Sequence, residues 1–105
     1  MGRVNAITKV SEITAADIVE YARIPEPDAG DLQTVENFLA YAKSYMAGYT
    51  GHTIEELDGY PDLVPVTMVL CQDLWDNRGL YQESPKANLN LMVEHALSLH
   101  SVNLL

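Results

Sequence analysis

Apolar and polar positions divide the chain into helical segments separated by short polar breaks. The densest apolar stretch runs from Leu63 to Arg78, LVPVTMVLCQDLWDNR. From Leu63 to Leu74 only Pro65, Thr67, Gln72 and Asp73 interrupt it. A segment apolar nearly all round belongs in the middle of a fold, covered from several sides. It is long for a strand, and Pro61 and Pro65 fall before or within a first turn, where a helix tolerates proline. The pattern predicts a central buried helix that Gly79 ends.

The segments before it carry clear start signals. Met1 to Val10 shows no helical period, and residues 1–12 are expected to form an extended arm, ordered only if something holds it. Thr14 followed by Asp17 reads as a capping box, with Ile13 and Ile18 at the staple positions. The helix they open is predicted to reach about Arg23, bury Ile18, Val19 and Ala22, and stop before Pro25-Glu26-Pro27. Asp28 caps a second helix, with Asp31 in its first turn. There Leu32, Val35, Leu39, Ala42, Met46 and Tyr49 recur at spacings of three and four, and Phe38 and Tyr45 widen the stripe. Tyr41 falls on the far side, and Gly48 and Gly51 close the helix. Thr53 to Leu57 reads as one short turn, capped by Thr53 with Glu56.

After a polar loop through Ser84-Pro85, Asn88 can cap a last helix running from Leu89 to about Ser101. Leu89, Met92, Val93, Ala96 and Leu97 form one stripe. Leu91, Leu99 and Val102, with His95, form a second at roughly 200 to 280 degrees from Leu89, taking about 100 degrees per residue. One stripe packs on the domain; the second needs another cover, and in a short chain that cover is expected to be another protein chain. The fold class predicted is all-α: a small bundle of about four helices around a buried one, with a mobile C-terminal helix or tail at 102–105.

Composition narrows the function classes. A chain of 105 residues with 48% hydrophobic content is expected to be one small domain, 1–105. No apolar run reaches a membrane span and no leader opens the chain, so a soluble, unexported protein is expected. The lone Cys71 lies inside the central helix, fits a core position, and is compatible with the reducing cytoplasm. Fifteen acids against six bases give a net charge of −9, which disfavours nucleic-acid binding through phosphates. No phosphate loop, metal-ligand spacing, calcium loop or nucleophile elbow is present. His95 and His100 diverge by about 140 degrees on a helix and do not share a metal. Asp73 and Asp76 read better as a salt-bridged helix end, with Arg78, than as a catalytic pair. Glu55, Glu56, Asp58 and Asp62 form an acidic run, read as a solvated loop or as a surface that repels DNA. No catalytic, cofactor or metal residues are expected.

The order of elements resembles a known family. Ile13-Thr14-x-x-Asp17-Ile18-x-x-Tyr21-x-Arg23-Ile24 is similar to the opening helix of the tailed-bacteriophage head-tail connector (adaptor) proteins, also described as DNA-packaging proteins. The acidic linker and the helix ending Ala42-x-x-Tyr45-Met46-x-x-Tyr49-Thr50-Gly51 resemble their second helix. Pro61, the apolar helix and Leu74-Trp75-Asp76-Asn77-Arg78 resemble the next, and Ser98-Leu99-His100-Ser101-Val102-Asn103 their end. Ala22, Trp75 and His100-Ser101 depart from the residues common there.

The resemblance implies a structural virion protein without enzymatic activity. It would form a ring below the portal, extend the DNA channel and dock a stopper or tail-completion protein, with packaged DNA passing unbound. It would reside at the head-tail interface and, before assembly, in the host cytoplasm. Leu91, His95, Leu99, Val102, Leu104 and Leu105 are then expected at the portal contact, and Tyr41, Trp75 and Arg78 at subunit contacts. Two rival readings remain: an acidic helical interaction module, such as a regulatory subunit of a bacterial cell, and a small helical enzyme using Asp73, Asp76 and a histidine.

Overall fold

The computed structural model describes residues 6–78 and 91–102. Four α-helices are described: α1 (Ala15–Ala22), α2 (Ala29–Thr50), α3 (Leu63–Asp76) and α4 (Leu91–Ser98). Two 3-10 turns accompany them, Val10–Glu12 before α1 and Glu55–Gly59 between α2 and α3, and the described residues form no strand. The architecture is an all-helical bundle, as the sequence pattern predicts.

The central position of α3 follows from its composition. Leu63, Val64, Val66, Thr67, Met68, Leu70, Cys71 and Leu74 are all buried, so three sides of the helix need cover. The other three helices and the first 3-10 turn all pack against it. Pro65 stays exposed within the first turn, where a backbone N–H has no intrahelical partner to lose. Thr67 is the one fully buried polar residue of α3, and its hydroxyl donates to the Leu63 carbonyl at 2.7 Å. That bond removes the cost of burying an unpaired hydroxyl.

Both early helices start with reciprocal capping boxes. The Asp17 carboxylate accepts from the Thr14 N–H at 2.8 Å, and the Thr14 hydroxyl oxygen accepts from the Asp17 N–H. Asp28 and Asp31 repeat the arrangement at the start of α2. At the end of α1, Arg23 turns into the left-handed region at φ 56°, and the Ile24 N–H returns to the Val19 carbonyl. This closure buries Ile24 beside the core despite the cost of a left-handed non-glycine residue, about 1 kcal/mol.

Several expectations need correction. Residues 6–12 are not an extended arm: Ile7, Val10 and Ile13 are buried in the core, around a 3-10 turn. The Ser11 N–H donates to the Asp58 carboxylate at 2.9 Å, which ties this segment to the second 3-10 turn. Gly48 does not close α2; it lies inside the helix, and Gly51 alone ends it, at φ 79°. Leu32 and Tyr49, expected in the buried stripe, are exposed, whereas Tyr41 is partly buried against the core rather than on the far side. α4 ends at Ser98 instead of Ser101, and Leu89, Asn88 and Gly79 lie outside the described residues.

Candidate assembly surface

α4 is short and uses one side for the core. Val93 and Leu97 are fully buried and Ala96 packs beside them, while His95 faces solvent. Beyond the helix, the His100 N–H donates to the Leu97 carbonyl and the Ser101 N–H to that of Ser98, so the chain tightens by one more turn. Leu99 then stands 69% exposed and Val102 56% exposed, the two most exposed large apolar residues described. Exposure alone marks nothing, since single apolar residues are common on surfaces. What distinguishes this corner is how firmly its backbone is held.

The holding groups come from the segment between α2 and α3. The Val102 N–H donates to the Thr50 carbonyl at 2.7 Å, which satisfies one of the acceptors that a helix end leaves open. His52 Nε2 lies 2.8 Å from the His100 carbonyl; a carbonyl only accepts, so this nitrogen carries the proton. The Tyr60 hydroxyl is 3.3 Å from the same nitrogen. The His100 ring lies against that of Tyr60, with centroids 4.3 Å apart, and its Nε2 donates to the Asp62 carboxylate at 2.7 Å. Asp62 occupies the N-cap position of α3 yet makes no capping bond there. Its carboxylate is committed to a residue 38 positions away instead.

The acidic turn beneath this clasp is structured. Thr53 and Glu56 exchange backbone-to-side-chain bonds, as the sequence predicts, and the N–H of Thr53 holds the Glu56 carboxyl below its usual range. The hydroxyl and then the N–H of Ser11 do the same for Asp58. Along α2, the rings of Tyr41, Tyr45 and Tyr49 succeed one another at 6.3 and 6.0 Å, and burial, with Glu94 of α4 nearby, raises the Tyr45 phenol.

Comparison with known protein families, characterised proteins and solved structures finds no significant match to this chain.

The residues singled out by the sequence do not form one patch. Leu99, Val102 and His95 present the exposed stripe; the side chain of Leu91, and all of Leu104 and Leu105, lie outside the described residues. Trp75 is half-buried, and the Arg78 guanidinium sits 4.0 Å from its ring centroid while donating to the Trp75 carbonyl. Arg78 therefore pairs with neither Asp73 nor Asp76; the Asp73 carboxylate accepts from the Asn77 amide instead. His95 and His100 point apart, one to solvent and one onto Tyr60. Among the described residues no His, Cys, Asp and Glu side chains cluster as a metal site. No described helix is long and apolar enough to cross a membrane.

Sequence reading missed two features: the clasp of His52, Tyr60, Asp62 and His100, and an open cleft of about 440 Å³ along α2. The cleft is bounded by Ala15 at the start of α1, by Glu36, Leu39, Ala40 and Lys43 of α2, and by Ile54. No local signal announces the clasp, because its partners are some 40 to 50 residues apart.

Proposed function

We propose that this chain is a head-tail connector adaptor: a ring-forming structural protein below a phage portal that extends the DNA channel and docks a stopper or tail protein. The observation that carries this reading is the apolar corner of Leu99 and Val102, held outward by the clasp at the end of an otherwise well-packed bundle. An apolar corner on a fixed backbone loses little conformational freedom on docking, which favours a partner contact there. The ordered motifs support the same reading: a Thr-led first helix, a long second helix ending at Tyr49-Thr50-Gly51, and a proline-led core helix ending in Trp75-Asp76-Asn77-Arg78. The net charge of −9 suits a channel component that lets DNA pass without binding it.

A second reading, an acidic helical module that binds a partner in a bacterial cell, draws on the open cleft along α2. Symmetry separates the two. Electron microscopy of the protein mixed with its portal should reveal a ring matching the portal, whereas a regulatory module forms one small complex of fixed stoichiometry. Truncation after Ser101 removes residues 102–105 and leaves His100 in place. It should give a folded domain that no longer joins portal-bearing particles; normal head completion by the truncated protein would remove the C-terminal corner from the assembly role.

A further inference from the structure

The clasp behind the corner fixes one histidine tautomer and leaves its other nitrogen poorly matched. In neutral His52 the His100 carbonyl keeps the proton on Nε2, so Nδ1 is a bare acceptor. That nitrogen faces Glu56 Oε1 at 3.6 Å, so two acceptors oppose one another. Glu56 is held there, since the same oxygen accepts from the Thr53 N–H at 2.8 Å. A second proton on His52 turns the opposition into an ion pair without disturbing the bond to His100. We propose that His52 is a proton-operated latch, fixing the Leu99–Val102 corner more firmly at mildly acidic than at mildly alkaline pH.

The surrounding groups act in one direction. Histidine is the side chain that changes charge between about pH 5 and 8. Glu56 stays ionised across that range, because the Thr53 N–H and then the His52 charge hold its carboxyl low. His100 donates to Asp62 through Nε2, so a second proton on that ring also meets a carboxylate. Both rings lie against Tyr60, with centroids 5.1 and 4.3 Å away, and an aromatic face favours a neighbouring cation. Each imidazolium has its own carboxylate, which offsets their mutual repulsion. The other charged groups of the packed elements are engaged elsewhere or face solvent. Asp58 is bound to Ser11 beside Lys9 and Lys43, Glu94 acts on Tyr45, and Glu55 and His95 are exposed. The extra hold is therefore present at the acid end of the range and is lost as pH rises toward about 8. That a firmer corner docks better rests on the connector reading; the latch itself does not.

Hydrogen exchange on the whole chain tests it. The Val102 N–H bonds to the Thr50 carbonyl, so its protection reports the latch. Corrected for intrinsic exchange and referred to the core amides of α3, that protection should be about two- to fivefold higher at about pH 6 than at about pH 8. Glu56→Gln keeps an acceptor for Thr53 without the charge and should reduce this dependence. Adding Asp62→Asn, which keeps an acceptor for His100, should abolish it. Both positions are exposed, so the variants should fold, as circular dichroism checks. Flat protection in the native chain overturns the latch, and so does an undiminished dependence in folded Glu56→Gln. In the native chain, the nitrogen shifts of the His52 ring should follow the same pH curve; a ring unchanged over it also overturns the latch. Attachment to portal-bearing particles separates the two readings. Protection that varies with pH while attachment does not supports the latch and removes the corner from portal docking. Flat protection with attachment intact overturns the latch and leaves the connector reading standing.

Discussion

The start of α1 and the corner after α4 both close a helix end, but they do so over very different distances along the chain. At α1 the partners are Thr14 and Asp17, three residues apart, and the closing bonds are available as soon as one turn forms. At the corner, the partners of His100 and Val102 are Thr50, His52, Tyr60 and Asp62, and nothing holds until the whole bundle has assembled. The first closure helps specify the fold. The second depends on it.

Substitutions can break this contrast. Leu70 is fully buried in α3, the helix against which α1 and α4 both pack, so Leu70→Ala should lower stability by about 2–5 kcal/mol, and Leu70→Asp should abolish folding. Urea unfolding followed by circular dichroism measures the first, and a near-native stability of Leu70→Ala would contradict the central position of α3. Next in size is Asp17→Ala, which deletes a buried capping carboxylate and should cost about 1–2 kcal/mol. Asp28→Ala removes an exposed equivalent and should cost less. His100→Ala should change global stability by under about 1 kcal/mol, yet hydrogen exchange at the Val102 amide should accelerate strongly while exchange in α1 stays unchanged. A global loss as large as that of Asp17→Ala would mean that the clasp is a folding element and not a late closure.

The smallest effect concerns pH. The folded-state carboxyls of Glu56 and Asp58 lie below their usual range, so their contribution to stability is present above the unfolded values, near pH 4. It is lost as pH falls through the folded values. Asp58→Asn keeps an acceptor for Ser11 but cannot titrate, and should flatten the acid limb of the stability curve slightly. An unchanged acid limb would show that the Ser11 bond does not couple the N-terminal segment to the acidic turn.

The same contrast explains what could be read from the sequence. Capping boxes at Thr14, Asp28 and Thr53 and the all-round apolar run of α3 are local patterns, and each predicted element is found there. Ile7, Val10 and Ile13 lie in irregular and 3-10 backbone, where no helical period exists to announce their burial. Tyr41 reads as outward because its angle on α2 lies off the main stripe, yet a long aromatic side chain can lean along the helix onto Tyr45 and the core. Spacing points Arg78 toward a nearby acid; it meets the face of an indole, which attracts a guanidinium as well. For the candidate surface, the exposure of Leu99 and Val102 is legible as an excess stripe. The clasp that fixes them is not, since a histidine and a tyrosine far apart in sequence give no sign that their rings will meet.

The indole beneath Arg78 has a further use. Trp75 is the only tryptophan of the chain, so excitation at the red edge of its absorption band isolates it from the six tyrosines. Half-buried, with a cation against its ring, it is a built-in optical reporter for the far end of α3. A neighbour that covers this end would move its emission to the blue, while loosening of the core would move it to the red. The molecule thus signals which of its surfaces has been occupied, without any label attached.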